Sequence, residues 1–512
     1  MGESAGTTMR GAGRAPDGVV AGIDSSTQSC KVELRDLADA RLLAVGRAPH
    51  PPAPGGVSEQ DPQAWWEALG RAMRAALDAA PPGTAQRVVA LSVAAQCHGL
   101  VPLDARGAVL RPAKLWNDTT CAPELARLRQ RVDDATWARR VGTVPTPAFT
   151  IGKLAWLAAH EPANLRALAT VLLPHDYLTF RLTGERVTDR SEASGTGYFD
   201  ATADDGRGRW LPDLLALVDP DGADPDKDWA ATLPRVARPD EVVGRLTPVA
   251  AEHLGLPGGV LVGPGGGDQH AAALGLGAGP GDVTFSLGTS GVVFTPSAHP
   301  VHDPSGTIDG VADLTGGWLP LVSTLNAARV TDQVAGWLGV DAAGLSALAL
   351  AAGPGEGPAF VPFLEGERTP DLPRARGVIA GLDSRTTRED LARAAVEGVL
   401  LGLVNGLDRM REFGVDVSGR VLVVGGAARS PAYRQLLADL LGTPTLVPDA
   451  DEASARGACV QAAAVALGVT VPEQRDRWRP AILEQTVPRP SRRDPGALYR
   501  RTVADAAVLA PT

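Results

Sequence analysis

The chain carries one short pattern twice: a β-strand runs into a tight turn of small residues and then into a second strand. The first copy places predicted strands at 19–24 and 31–36 around a turn of serine and threonine. The second copy places them at 282–287 and 292–294 around a turn of glycine, threonine and serine. Because strand–helix segments follow each copy, the pattern predicts a mixed α/β fold built from two related halves.

The length of 512 residues fits two large domains, and the boundary is predicted near residue 262. A strand at 260–262 leads into glycines and Asp268, much as the first strand leads to Asp24. This similarity predicts that the two aspartates lie on opposite sides of a cleft between the halves. The predicted divisions are a disordered tail at 1–17, a first domain at 18–262, a second domain at 263–485 and a C-terminal extension at 486–512. Residues 201–243, rich in Asp, Pro and Gly, are predicted to form a surface excursion or a flexible loop.

Composition excludes several classes of protein. The formal net charge of −10 argues against a non-specific binder of nucleic acid or anionic membrane, because either needs a cationic surface. No apolar run approaches the ~18 residues of a membrane span. The four cysteines form no C-x-x-C pair, which favours reduced thiols and a cytoplasmic location. None of the four lysines precedes Ser or Thr, so a phosphate loop of the G-x-x-x-x-G-K-[ST] type is absent.

Other turns offer a different way to hold phosphate. The hydroxyls and backbone N–H groups of Ser25, Ser26 and Thr27 suit phosphate oxygens, and Asp24 at the strand end suits Mg²⁺. An ordinary hydroxyl-capped hairpin is the alternative. Further glycine-rich strand ends that suit a nucleotide contain Gly288, Thr289, Gly425, Gly426 and Ser430.

A run of three glycines precedes Asp268 and a predicted helix. A carboxylate at that position can accept a proton from an attacking hydroxyl, as a general base does. The alternative is a glycine turn in which Asp268 only caps the helix. The residues by themselves leave these two roles open.

Two polar clusters in the first half suit a polyhydroxyl substrate. They follow predicted strands, where ligands bind in α/β sheets. For His98 alone, a structural role within the core is the commoner one, and Cys97 alone more often packs than reacts. The residues of interest in the two clusters are Cys97, His98, Trp116, Asn117 and Asp118.

Taken together, these motifs resemble the FGGY carbohydrate kinases of the actin and hexokinase-like superfamily, and the xylulokinase branch most closely. The resemblance extends from about residue 19 to 467. The motifs that carry it are Gly22-Ile23-Asp24, Ser58-Glu59-Gln60-Asp61-Pro62, Gln96-Cys97-His98-Gly99, Trp116-Asn117-Asp118, Leu173-Pro174-His175-Asp176-Tyr177, Gly265-Gly266-Gly267-Asp268, Leu287-Gly288-Thr289-Ser290-Gly291, Gly366-Glu367-Arg368-Thr369-Pro370, Gly425-Gly426-Ala427 and the segment 377–397.

The resemblance implies two actin-like (ribonuclease H-like) ATPase domains with a catalytic cleft between them, sugar on the first domain and ATP mainly on the second. It implies ATP-dependent phosphorylation of D-xylulose to D-xylulose 5-phosphate in xylose catabolism. Asp268 is then the base, and both Asp24 and Asp268 lie near Mg²⁺. Sugar contacts fall on Cys97, His98, Trp116, Asn117, Asp118 and Gln269, and ATP contacts on Ser25, Ser26, Thr27, Gly288, Thr289, Gly425, Gly426 and Ser430.

The sequence departs from the family at three places. Ser26 replaces the usual glycine, Cys97 a common methionine, and Gln269-His270 an Asn-Ala pair. Another sugar or polyol, such as ribulose, gluconate or glycerol, is therefore an alternative substrate. A non-catalytic ATP-binding regulator is a second alternative, and a homodimer is a possible assembly.

Overall fold

A computed structural model describes residues 17–51, 58–353, 357–370, 372–490 and 494–508. Apart from Asp17, the predicted N-terminal tail lies outside the described residues. Two mixed seven-stranded sheets organise the protein. In spatial order the strands of the first sheet are Gly244–Arg245, Leu261–Val262, Val88–Ala95, Val19–Ser25, Ser29–Asp36 and Leu42–Pro49, with Gly266–Gly267 also paired to Val88–Ala95.

The second sheet repeats the plan of the first. Its strands in spatial order are Asp309–Ala312, Trp318–Thr324, Gly291–Phe294, Val283–Leu287, Val421–Val424, Thr445–Pro448 and Ile482–Thr486. In both sheets a short turn joins the first two strands, and a third strand pairs antiparallel to the second; in the second sheet this third strand, Trp318–Thr324, follows a longer connection that contains Asp309–Ala312. Parallel strands follow on the other side of the first strand in each sheet. The predicted repeat of strand, turn and strand is therefore confirmed, and a third antiparallel strand in each sheet was not predicted.

Helices connect and cover the sheets, because parallel neighbours need long crossover connections. The α-helices are Pro62–Ala79, Thr84–Arg87, Ala122–Arg131, Asp134–Val141, Thr150–His160, Pro162–Ala167, Pro174–Thr183, Arg190–Ser194, Pro212–Leu215, Pro248–Leu254, Asp268–Gly275, Ala328–Leu338, Ala342–Ala351, Arg388–Glu412, Pro431–Leu441, Ala453–Leu467, Val471–Arg477 and Pro495–Val508. Short 3₁₀ helices are Asp204–Gly206, Ala230–Thr232 and Gly426–Arg429. Small two-stranded pairs join Glu59–Gln60 to Ala113–Lys114, Val101–Leu103 to Thr170–Leu172, Val187–Asp189 to Arg235–Ala237, Phe199–Asp200 to Arg209–Trp210, and Ala359–Val361 to Val378–Ala380.

The helix Ala453–Leu467 packs unusually close to the first sheet. A Cβ added to Gly22 would lie 2.0 Å from the carbonyl oxygen of Ala455 and 2.6 Å from the backbone nitrogen of Cys459. The same helix approaches Asp268–Gly275 equally closely, since a Cβ on Gly457 would lie 1.8 Å from the Ala271 oxygen. A late segment of the chain thus fixes the strand that carries Asp24 and the helix that begins at Asp268.

The segment 201–243 is more ordered than its composition predicts. Its apolar side chains, among them Leu211, Leu214 and Leu215, are buried in a cluster with helices of the first half. The prediction of a surface excursion is wrong for these residues, because Asp, Pro and Gly between them obscure the apolar pattern.

Within the described ranges, no single helix has the length and apolar character needed to cross a membrane. Two pairs of helices joined by sharp bends meet the length and composition criteria together, namely Ala328–Leu338 with Ala342–Ala351 and Ala453–Leu467 with Val471–Arg477.

Candidate active site

Both candidate catalytic aspartates lie at one edge of the first sheet. Asp24 pairs in register with Ala94 of the central strand, and Gly267, directly before Asp268, pairs in register with Ala95. The prediction that the two aspartates face each other from different halves is wrong. The strand before Asp268 joins the first sheet, so the two carboxylates flank the carboxyl end of Val88–Ala95. The domain boundary near residue 262 stays a prediction.

Asp24 is 3% exposed and lies among polar partners. The Ser26 hydroxyl donates to its Oδ1 at 2.6 Å, and the Lys31 Nζ lies 3.6 Å from its Oδ2. Lys31 also forms an ion pair with Glu452 at 2.8 Å. Burial raises the pKa of Asp24 above its ordinary value in spite of these partners. Ser26, predicted as a phosphate contact, therefore positions the Asp24 carboxylate in this structure.

Asp268 begins a helix directly after the glycine run, which lets the backbone turn sharply at Gly265, where φ is +82°. The backbone N–H of Gln269 donates to its Oδ1 at 2.8 Å, and the Cys97 thiol donates to the same oxygen at 3.4 Å. Burial and the nearby Asp24 carboxylate raise the pKa of Asp268 to about 7. A carboxylate with a pKa close to neutral is well suited to accept a proton.

A cavity of about 240 Å³ opens beside Asp268 and is lined by both halves of the chain. The first-half lining includes Thr27, Cys97, His98, Trp116, Ala148 and Phe149, followed by Asp268, Gln269 and His270. The wall from the second half consists of Ser290, Val292, Asp309, Val311, Leu321, Ser323, Thr324, Leu325 and Arg368. The predicted cleft is thus present, and most of the predicted sugar contacts line it.

His98 and Trp116 give the cavity its aromatic and hydrogen-bonding surfaces. The His98 ring stacks on Phe149 at a centroid distance of 4.8 Å, and its backbone adopts a left-handed φ of +62°. Burial lowers the pKa of His98 well below its usual value, so the ring is neutral. The Trp116 indole donates to the Thr27 hydroxyl at 3.1 Å. Thr27, predicted as a phosphate contact, therefore lies with the predicted sugar contacts.

Several predicted site residues lie outside the lining, among them Asn117, Asp118 and Ser25. Asn117 is exposed, whereas Asp118 is buried and forms an ion pair with buried Lys114 at 3.3 Å. Ser25 is also buried, with its hydroxyl 3.4 Å from the His50 Nε2. Asp118 thus supports the loop that carries Trp116.

The predicted nucleotide contacts of the second half lie at the edge of the second sheet, whereas Ser25, Ser26 and Thr27 lie at the end of the first strand of the first sheet. The strands Val283–Leu287 and Val421–Val424 are parallel neighbours, so the turns that follow them lie side by side. Gly425 has a φ of +89°, and a Cβ there would lie 2.6 Å from the Leu287 oxygen. Gly288, Thr289, Gly425 and Gly426 therefore lie close together, with the Ser430 hydroxyl donating to Ser346 at 3.1 Å just beyond them.

Several residues of the site were not predicted. Asp309 and Arg368 line the cavity from the second half, with 3.5 Å between the Arg368 Nη2 and the Asp309 Oδ2. Glu192 is fully buried and its Oε2 accepts the His98 backbone N–H at 2.9 Å. A motif signal existed only for Arg368, which lies in Gly366-Glu367-Arg368-Thr369-Pro370.

Comparison with known proteins decides the family. The model described as the N-terminal domain of the FGGY family of carbohydrate kinases matches residues 19–275, and the model of the C-terminal domain matches residues 283–466. The chain belongs to the FGGY family of carbohydrate kinases. Membership in this FGGY family implies a phosphotransferase that uses ATP, which confirms the predicted family and enzyme class.

Named relatives of this FGGY kinase are xylulose kinases. That of Streptomyces coelicolor is 43% identical over 90% of this chain and 91% of the relative, and that of Escherichia coli is 38% identical over 82% and 84%. The crystal structure of xylulose kinase from Bifidobacterium adolescentis has a TM-score of 0.84 at 37% identity and covers 96% of this chain and 99% of that one. The predicted two-domain actin-like fold is confirmed by this similarity.

Proposed function

We propose that this FGGY kinase transfers the γ-phosphoryl group of ATP to D-xylulose and forms D-xylulose 5-phosphate. The observation that carries the proposal is the similarity to xylulose kinases over 90% of the chain. The geometry supports it, because a half-buried carboxylate with a raised pKa lies in a cavity whose lining is mostly neutral polar and aromatic side chains. Such a lining suits an uncharged polyhydroxyl substrate.

The chain's own residues supply positioning and proton transfer. Cys97, His98, Trp116 and Gln269 hold the sugar so that its terminal hydroxyl lies beside Asp268, and Asp268 accepts the hydroxyl proton as the oxygen attacks phosphorus. The turns at Gly288–Thr289 and Gly425–Gly426 hold the nucleotide with backbone N–H groups and hydroxyls. Most of the rate enhancement then comes from alignment of the reactants, as is usual for phosphoryl transfer.

We also propose that Asp24 and Asp268 hold Mg²⁺. The donor set fits, because Mg²⁺ prefers carboxylate oxygens together with phosphate and water. The two carboxylates are also close enough to act together on one ion, since the charge of Asp24 contributes to the raised pKa of Asp268. When bound with ATP, the ion neutralises negative charge on the phosphates. Lys31, 3.6 Å from Asp24, is placed to add positive charge at the same position.

The proposed partners are small molecules, D-xylulose and ATP, and the proposed location is the cytoplasm. The four cysteines are free thiols, of which Cys30, Cys121 and Cys459 are buried, and this suits a reducing compartment. A homodimer stays a prediction.

A panel of sugars tests the substrate assignment. With saturating ATP and Mg²⁺, ADP release is measured for D-xylulose, D-ribulose, D-gluconate and glycerol. We expect kcat/KM for D-xylulose to exceed that of each other compound by at least ~10-fold, since buried polar groups left unpaired by a wrong sugar cost affinity. A higher kcat/KM for another compound of the panel would contradict the assignment of D-xylulose as the substrate.

Gln269→Asn tests whether this side chain contacts sugar. Gln269 lines the cavity next to the base, and asparagine retracts its amide by one methylene group. We expect the KM for D-xylulose to change several-fold while the KM for ATP stays constant, because one displaced hydrogen bond is worth about 1 kcal/mol. A change confined to the KM for ATP would remove Gln269 from the sugar site.

A further inference from the structure

Two glutamines behind the wall of the sugar cavity have no role in the proposed transfer. Gln60 and Gln96 lie in motifs that carry the family resemblance, yet neither lines the cavity. Gln96 is 2% exposed and Gln60 is half-buried, and the Gln96 Nε2 donates to the Gln60 Oε1 at 3.3 Å. A buried amide is costly unless it is hydrogen-bonded, so the partners of these two amides indicate what they do.

Both glutamines hold Thr27. The Gln60 Nε2 donates to the Thr27 backbone oxygen at 2.8 Å, and the Thr27 hydroxyl donates to the Gln96 Oε1 at 3.3 Å. The Gln60 Oε1 also accepts the indole N–H of Trp65 at 2.7 Å. Trp65 is fully buried in the core of the first half. The glutamines therefore anchor Thr27 to that core.

Thr27 in turn holds Trp116, which is 38% exposed and lines the sugar cavity. The Thr27 hydroxyl accepts the Trp116 indole N–H at 3.1 Å while it donates its own hydrogen to Gln96. A hydroxyl has one hydrogen, so donation to Gln96 leaves the oxygen lone pairs for the indole. The contact fixes the Trp116 ring at the cavity wall.

The indoles at the two ends set the direction of every hydrogen bond between them. An indole N–H is a donor only, so Trp65 requires the oxygen of Gln60, and Trp116 requires the oxygen of Thr27. The Gln60 oxygen then accepts from the Gln96 nitrogen, which leaves the Gln96 oxygen to accept from Thr27. Each donor thus meets an acceptor along the whole chain of bonds.

We propose that Gln60 and Gln96 are positioning residues for the sugar, which act through Thr27 to hold the Trp116 ring against the substrate. The proposal rests on the proposed function because it needs a sugar in this cavity, but it does not depend on which sugar of the panel that is. It also assigns the Thr27 hydroxyl to the sugar wall and not to ATP.

Gln96→Met tests the proposal, since methionine has a similar length and no amide. We expect the KM for D-xylulose to rise roughly 3–10-fold, the effect of one lost hydrogen bond, while the KM for ATP stays constant. Gln474→Met is the matched control. Gln474 is buried in the helix Val471–Arg477, neither of its side-chain polar atoms has a hydrogen-bond partner in the described part of the chain, and its variant should keep the wild-type KM.

Gln60→Glu tests the second glutamine with a side chain of the same shape. It replaces the N–H that faces the Thr27 carbonyl with an oxygen, so the KM for D-xylulose should rise at least ~3-fold. Gln63→Glu makes the same change of charge at an exposed residue of the neighbouring helix and should leave this KM unchanged.

Thr27→Val tests whether Gln96 acts through Thr27, because it removes the shared hydroxyl and keeps the shape. It should raise the KM for D-xylulose, and addition of Gln96→Met to Thr27→Val should raise it no further, since residues that share a partner are not additive. Thr27→Ser keeps the hydroxyl and should keep the wild-type KM. Circular dichroism and Tm establish that each variant is folded.

An unchanged KM for D-xylulose in folded Gln96→Met would overturn the proposal, because a role confined to stability lowers Tm without changing this KM. Full additivity in the double variant would overturn it too, as would a rise confined to the KM for ATP in Thr27→Val. If the panel selects another sugar, the same variants are compared with that sugar. That result would contradict the assignment of D-xylulose and leave the test of Gln60 and Gln96 intact.

Discussion

Replacing Asp268 with asparagine is expected to lower kcat by at least ~100-fold, the contribution of a general base. Asparagine has nearly the same shape and can still occupy the start of its helix, but it cannot accept the proton of the sugar hydroxyl. Steady-state ADP release with D-xylulose measures the loss. As a matched control, Asp118→Asn alters a buried carboxylate of the same half that lies outside the cavity lining, and a folded variant should keep far more activity. Near-wild-type turnover of Asp268→Asn would show that Asp268 is not the general base.

The same substitution is expected to raise stability in the absence of Mg²⁺ and ATP. Because the pKa of Asp268 rises from 3.8 to about 7 on folding, the folded protein holds this proton through a pH range in which the unfolded chain has lost it. Stability contributed by this group therefore falls as pH rises between about 4 and 7. Asparagine does not ionise and has no such cost. The Tm of Asp268→Asn should therefore exceed that of the wild type by more at pH 8 than at pH 5.5. Equal Tm differences at the two values would show that Asp268 does not titrate in this range.

Replacing Gly22 with alanine is expected to destabilise the protein by about 3 kcal/mol or more, at the upper end of the cost of overpacking. The added Cβ would lie 2.0 Å from the Ala455 carbonyl oxygen, and neither backbone can yield without separating the helix Ala453–Leu467 from the first sheet. Since this strand carries Asp24 and this helix packs against Asp268–Gly275, activity should fall as well. The midpoint of urea unfolding measures the loss of stability.

Gly258→Ala is the matched control for that experiment. Gly258 is exposed, and a Cβ there would meet nothing within 4 Å. Its stability should change by less than about 0.5 kcal/mol, as for most surface substitutions. If Gly22→Ala unfolded at the same urea concentration as Gly258→Ala, the close packing of helix against sheet would not be a main determinant of stability.

Local sequence patterns predicted the parts of the fold that depend on neighbouring residues. The strand–turn–strand copies were predictable because tight turns and apolar strands are local features. The third antiparallel strand, Leu42–Pro49, was missed because Gly46 and Pro49 are uncommon inside strands. Gly46 is required there by packing, since a Cβ would lie 2.0 Å from the Ala72 oxygen in the helix that covers the strand.

The site was predictable where a motif lies at a strand end and not where tertiary contacts build it. Asp24 lies near the end of one strand, and Cys97 and Asp268 come shortly after two other strands of the same sheet, so the motifs predicted that they are near the chemistry. Glu192 is 94 residues from His98 in the sequence, and only folding brings its carboxylate to accept a hydrogen bond from the His98 backbone N–H. The sequence likewise could not predict that Asp24 and Asp268 lie on the same sheet. This placement depends on the pairing of Gly266–Gly267 with Val88–Ala95, which is a long-range contact.

The central claim is that this FGGY kinase phosphorylates the terminal hydroxyl of D-xylulose with ATP. The most direct measurement is the rate of ADP formation with and without D-xylulose, together with ³¹P and ¹³C NMR of the product. We expect ADP formation to require D-xylulose, to be stoichiometric with sugar phosphate, and to give an ester at C5. Sugar-independent ADP release, or an ester at another carbon, would contradict the account.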